Sequence, residues 1–222
     1  NTEFRVKKNK IAGGNFGDVF EGWRIKDNKH VAIKILKEKD LDQDAQIDLI
    51  REIQLLASFK HPGCLNLIGF SIGKDIIIIT PFMPNGSLEK ALKDCYEKNP
   101  GYEAFSPTKR MCSIYGICSI MSYIHSLNII HRDFKPENVF LDENYEVVIA
   151  DFGLSRIVQE NIYLTKGTLG SPIYMAPEIY TKDVLYTNSI DVFSFGVTLY
   201  HYFVQNMGVL DDGQGRVRSP MN

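Results

Sequence analysis

Apolar and polar residues alternate from Phe4 to Lys37 in short runs broken by turns, a pattern that predicts β-strands. The runs VFEGWRI and HVAIKIL flank a polar turn, Lys26 to Lys29, so this part reads as an antiparallel meander. From Asp44 to Phe59 the period changes. Ile47, Ile50, Ile53 and Leu56 recur at helical spacing and predict a helix with an apolar stripe. Two strand-like runs follow His61-Pro62, Leu65 to Ile72 and Asp75 to Thr80. Ser106-Pro107 has the form of a helix start, a cap followed by proline in the first turn. Met111, Ile114, Cys118, Met121 and Ile124 then predict a buried helix that delivers the chain to His131. The run Val147 to Ala150 reads as a strand, and Val192 to Val204 as a core helix, shorter than the ~20 residues a membrane span needs. Beyond Phe203 the Gly-rich, polar sequence reads as a disordered tail.

A chain of 222 residues with 44% hydrophobic content supports a real core. Net charge of −2 and a pI near 6.2 give no basic footprint for nucleic acid and no polybasic membrane anchor. Cys64, Cys95, Cys112 and Cys118 form no CxxC pair and no metal-spaced set with His. They read as reduced thiols of a cytoplasmic protein. No signal peptide is visible, although the chain starts at Asn1 without Met.

Chemistry concentrates in IHRDFKPENVFLDENYEVVIADFG, from Ile130 to Gly153. A hairpin here would bring Asp133, Lys135 and Asn138 near Asp151, with Gly153 allowing a sharp turn behind Asp151. Asn138 and Asp151 offer hard oxygen ligands suited to Mg²⁺ held with substrate phosphates, and Asp133 is free to take a proton from a hydroxyl. Any one of these residues alone is best read as a surface-turn residue. HRDxKxxN and DFG together, in this order, are far more specific.

His131 to Asn138, Asp151-Phe152-Gly153 and Ala176-Pro177-Glu178 resemble the catalytic loop, magnesium loop and activation-segment end of eukaryotic protein kinases. The resemblance implies an α+β, bilobal fold, with an antiparallel sheet plus one helix in the first lobe and a mainly helical second lobe that is incomplete at its end. It divides the chain into residues 1–83, 84–203 and a tail, 204–222. It implies ATP and Mg²⁺ as cofactors. Asp133 would be the base, Lys135 would steady the γ-phosphate, and Asn138 and Asp151 would hold metal. Ile11 to Val19 resembles the glycine-rich loop, with Ala12 standing where the family has its first glycine. Val31-Ala32-Ile33-Lys34 resembles the strand whose lysine holds phosphates, and Glu52 would pair with Lys34. Pro81 to Gly86 resembles the hinge, with the Pro81 carbonyl and Met83 N–H meeting adenine and Thr80 guarding the pocket behind it. Nucleotide contacts are thus expected from Ile11, Gly14, Gly17, Val19, Ala32, Lys34, Thr80, Pro81, Met83 and Phe140.

The resemblance further implies an activation segment, Asp151 to Glu178, carrying Tyr163, Thr165, Thr168 and Ser171. Phosphorylation of Thr165 or Thr168 would bring charge to Arg132, through an activating kinase or autophosphorylation in trans. Asp191 would anchor the helix on which the second lobe is built, beneath a stack of Leu56, Leu67, His131 and Phe152. No arginine of the kind the family places in later helices follows, so Glu178 is expected to be unpaired. Lys135 and Gly170 to Tyr174 resemble serine/threonine kinases, while Asp191 to Gly196 and Gly86-Ser87-Leu88 resemble the tyrosine-kinase-like branch. The implied activity is phosphoryl transfer to Ser or Thr of a protein substrate. A catalytically idle scaffold or binding module is the alternative, suggested by Ala12 and the missing helices. A small-molecule kinase is disfavoured by the Ala-Pro-Glu segment.

Overall fold

The computed structural model describes residues 3–14, 17–37, 43–157, 171–180 and 187–204. The chain divides into two compact units, Asn1–Pro84 and Asn85–Asn222. The expected tail, 204–222, lies almost wholly outside the described residues.

The first unit is a five-stranded antiparallel sheet, in the order β1-β2-β3-β5-β4, with one helix. Its strands are β1 (Phe4–Gly14), β2 (Gly17–Arg24), β3 (Lys29–Lys37), β4 (Gly69–Ser71) and β5 (Asp75–Pro81), with α1 (Gln43–Ser58) between β3 and β4. The predicted meander forms, and its β2–β3 turn closes through Asn28 at φ 54°, a left-handed position that Asn tolerates. Alternation assigns the sheet faces. Val31, Ile33 and Ile79 are buried in a cluster with Phe4, Ile35, Ile68 and Ile77, while His30, Ala32 and Lys34 project to the other side.

The helix stripe needs correction. Ile47 and Ile50 are each 52% exposed, whereas Leu49, Ile53, Leu55 and Leu56 are buried. A three-residue repeat lags the helical period of roughly 100° per residue, so nine residues carry Ile47 about half a turn away from Leu56.

The second unit is mainly helical. It contains α2 (Leu88–Glu97), α3 (Pro107–Ser126) and α4 (Ser189–Val204), with short strands β6 (Ile129–Ile130), β7 (Val139–Leu141), β8 (Val147–Ile149) and β9 (Arg156–Ile157). Ser106 caps α3 as predicted, its Oγ accepting from Lys109 N at 3.3 Å. The buried face of α3 differs from prediction: Ser113, Ile117, Ile120, Met121 and Ile124 are buried, while Met111 and Cys118 are exposed. This helix is apolar nearly all round, so periodicity alone does not choose a face. Packing on β8 chooses it. A Cβ on Gly116 would lie 2.5 Å from Val147 Cγ2, so glycine there permits the close approach.

α4 is also less enclosed than its sequence suggests, with Val192 60% and Phe203 66% exposed while Ile190, Val197 and Tyr202 are buried. Cys64 is buried, and Cys95, Cys112 and Cys118 are partly or fully exposed; all are free thiols. Burial pushes the Cys64 thiol up to about 12, which leaves it inert. Among the described residues, no helix is long and apolar enough to cross a membrane.

Candidate active site

The β7–β8 hairpin positions the chemical residues of the second unit. Val139 pairs with Ile149, and Ala150 N donates to Asn138 O at 2.9 Å, so Asp151 is delivered beside the turn Pro136–Asn138. Asp133 lies at the centre. Its Oδ2 accepts from Asn138 Nδ2 at 3.0 Å and from Lys135 Nζ at 2.9 Å, and its Oδ1 accepts from Ser171 N at 3.1 Å. Lys135 Nζ also donates to Ser171 Oγ at 2.8 Å. The side chains of Asp133, Lys135 and Asn138 are therefore locked in one network, with Ser171 as its fourth member. The sequence places Ser171 among the hydroxyls of the activation segment and in the Gly170 to Tyr174 resemblance to serine/threonine kinases, but does not pair it with Asp133. Its fixed place just before Pro172, seven residues ahead of Glu178, was the available signal.

Asn138 Nδ2 also donates to Asp133 O at 2.8 Å, which leaves its amide oxygen as the acceptor. Asp151 is exposed. One amide oxygen and one carboxylate suit Mg²⁺, which keeps several waters and completes its shell with substrate phosphates. A closed protein cage is not needed, and among the described residues no group of three or more His, Cys, Asp or Glu forms one.

Backbone strain gathers at these residues. Arg132 has φ 71° and Asp151 has φ 61°. The sharp turn therefore occurs at Asp151 itself and not at Gly153, because a short polar side chain tolerates the left-handed region better than most. Strained positions persist only when their surroundings hold them. Asp191 does so for Arg132: its Oδ1 accepts from Arg132 N at 2.9 Å, and its Oδ2 from His131 N at 2.8 Å and His125 Nε2 at 2.9 Å. Fully buried Phe152 lies 5.1 Å from the His131 ring, and His131 Nε2 donates to Ala150 O at 3.0 Å. Thus His131, Phe152 and Asp191 assemble in the second unit, and Leu67 N bonds Leu56 O at 3.1 Å in the first.

Half-buried Glu137 and the buried Tyr174–His201 pair lie in the same unit. Burial raises the pKa of Glu137, and its Oε2 has no hydrogen-bond partner. Tyr174 OH bonds His201 Nδ1 at 3.0 Å, and burial lowers the His201 pKa. Glu178 is not unpaired as expected, since Ser189 Oγ reaches its Oε1 at 3.5 Å. Phe140, in β7, bridges to Ser87 just ahead of α2.

The first unit carries the other expected residues. Lys34 Nζ reaches Glu52 Oε1 at 3.5 Å, so the predicted pair forms. Gly14 pairs with Gly17 at the β1–β2 turn, and Asn15 and Phe16 lie outside the described residues. Gly17 has φ 96°, and a Cβ there would lie 2.4 Å from Ile35 O, so glycine is required. Ala12 lies in β1 opposite Val19 with no positive φ, so the departure from the family's glycine asks nothing unusual of alanine. Ile11 is half exposed, Val19 pairs with Lys34, and Ala32 pairs with Thr80.

Phe82 N donates to His30 O at 3.3 Å. In an antiparallel ladder alternate residues carry the bonds, so Pro81 stands where its missing N–H would point away from β3. Its carbonyl likewise stays outside that ladder. Tyr163, Thr165 and Thr168 lie outside the described residues.

Comparison with known proteins shows the family. The family described as "Protein kinase domain" matches residues 5–218. The chain is similar to serine/threonine-protein kinase STY46 of Arabidopsis thaliana, 36% identical over 86% of this chain and 32% of the relative. It is also similar to serine/threonine-protein kinase CTR1 of the same plant, 33% identical over 87% of this chain and 23% of the relative. Dual specificity protein kinase shkB of Dictyostelium discoideum is 34% identical over 86% of this chain and 29% of its own length. The chain thus spans less than a third of the length of these relatives.

Proposed function

Because the chain belongs to the protein kinase domain family, we propose that it transfers the γ-phosphoryl group of Mg-ATP to Ser or Thr hydroxyls of protein substrates. The observation that carries this reading is the Asp133 carboxylate, fixed by Asn138, Lys135 and Ser171. A positioned carboxylate is what an attacking hydroxyl needs. As the hydroxyl oxygen bonds to the γ-phosphorus and the bond to the ADP oxygen breaks, the hydroxyl proton passes to Asp133. Lys135 Nζ steadies the γ-phosphate, and Lys34, oriented by Glu52, holds the α- and β-phosphates. Asn138 and Asp151 would hold Mg²⁺, which neutralises charge on the phosphates when bound. Ile11, Gly14, Gly17, Val19, Ala32, Thr80 and Phe140 flank the nucleotide, and the Pro81 carbonyl and Met83 N–H meet adenine.

Two features favour Ser or Thr over Tyr. Lys135 stands two residues after the base, and Ser171 ties the segment before Ala176-Pro177-Glu178 to that base. Asp191 to Gly196 and Gly86-Ser87-Leu88 support the tyrosine-kinase-like branch. Control by phosphorylation of Thr165 or Thr168 is part of the same reading, since a phosphate there would bring charge to Arg132 of the catalytic loop; the activator is another kinase or a second copy of the chain.

The test is Asp133→Asn, with phosphate transfer to a Ser/Thr peptide library and Mg-ATP binding both measured. Transfer should fall by orders of magnitude, on the order of 10²-fold or more, while nucleotide affinity is retained. Equal loss of both would refute the assignment of Asp133 as base.

A further inference from the structure

The sheet face that carries Val19, Ala32, Lys34 and Thr80 continues past them. Farther along the sheet stands a row formed by Arg5, Trp23 and His30, which are register partners across β1, β2 and β3. Phe82 completes it. The Trp23 and His30 rings are stacked, with centroids 4.9 Å apart and planes 5° from parallel. His30 and Phe82 are closer, 4.1 Å between centroids. The His30 ring is thus wedged between a strand residue and the residue immediately before Met83.

The wedge is held from several sides. His30 Nε2 bonds Glu21 Oε1 at 2.9 Å, and Lys7 Nζ holds the other oxygen of that carboxylate at 2.7 Å. Arg5 and Lys7 each lie 5.3 Å from the Trp23 ring centroid. Backbone contact adds to the rings, since Phe82 N donates to His30 O. Pro81, just before, has no N–H and makes no ladder bond through one. Beyond the last ladder pair, Val31 with Pro81, His30 makes both a backbone hydrogen bond and a ring contact to Phe82, the residue before Met83.

We propose that His30 is a positioning residue for the adenine-binding segment Pro81 to Met83, acting through the Trp23–His30–Phe82 stack. The inference rests on the nucleotide reading above. It predicts that the ring, more than the hydrogen bond to Glu21, sets nucleotide affinity, because the ring is the part of the side chain that meets Phe82.

The experiment titrates this chain with Mg-ATP by calorimetry, as wild type, His30→Ala, His30→Phe and His30→Gln, with ligand-free thermal melts and kcat and KM for each. Removing one aromatic contact should weaken Mg-ATP binding and raise KM roughly three- to tenfold, leaving kcat unchanged. His30→Phe should restore affinity, and His30→Gln should behave as His30→Ala. If His30→Ala does not melt cooperatively, Phe82→Leu, which removes the ring from the other side, carries the same expectation. Unchanged affinity in His30→Ala, or rescue by glutamine and not by phenylalanine, overturns the proposal. A folded wild type that binds no Mg-ATP overturns the nucleotide reading itself, and the proposal with it.

Discussion

Asp191 is the residue whose loss the structure prices most clearly. Its side chain is fully buried and accepts three hydrogen bonds, from His131 N, Arg132 N and His125 Nε2. Two of those donors are backbone amides of buried residues, and one belongs to Arg132 in the left-handed region. In Asp191→Asn one oxygen remains to accept, and the new amide group presents hydrogens where a donor already points. One backbone N–H is then left without a partner, at a cost of about 1–3 kcal/mol, and the charge assistance to the remaining bond weakens. A total near 3 kcal/mol corresponds to a melting shift of roughly 6–12 °C for a chain of this size. Far-UV circular dichroism is the suitable assay, because α2, α3 and α4 lie in the second unit and only α1 in the first among the described residues, while Trp23 fluorescence reports the first unit separately. Amide exchange should show lost protection at His131 and Arg132. A shift below about 2 °C with both amides still protected would refute the view that Asp191 holds the catalytic loop.

Three other outcomes are expected. Gly17→Ala places a Cβ against Ile35 O at a positive φ, so it should destabilise the first unit by at least about 1–2 kcal/mol, read from Trp23 fluorescence in a urea titration. Glu137 has a folded-state pKa raised by burial, so its contribution to stability is complete below about 4.5 and is lost as pH rises through the folded value; Glu137→Gln should melt higher than wild type at pH 7, with the advantage shrinking towards pH 4.5. His201 is lowered by burial, so the unfolded chain binds a proton that the folded chain refuses as pH falls below 6.5; stability should drop there, and His201→Gln should flatten that slope. A pH profile of His201→Gln parallel to wild type would count against the burial argument.

What the sequence determined by itself is what local chemistry encodes. Alternation from Phe4 to Lys37 fixed the meander because a strand must place successive side chains on opposite faces, and Ser106-Pro107 fixed the start of α3 because the serine caps and the proline presets the first turn. The order of HRDxKxxN and DFG was enough to nominate Asp133, Lys135, Asn138 and Asp151. Tertiary structure decided what depends on a partner remote in sequence. The face of α3 was chosen by the strand it packs against, as Gly116 beneath Val147 illustrates, and no periodicity in an apolar helix contains that choice. Ser171 joined Asp133 across 38 residues, Ser189 reached Glu178, and Asp191 reached the amide of His131 60 residues away. The turn at Asp151 fell on the aspartate and not on the glycine, because the hairpin delivers the chain there before Gly153 is reached. Such bonds satisfy buried polar groups wherever the fold leaves them, so their partners are set by where the backbone passes in space.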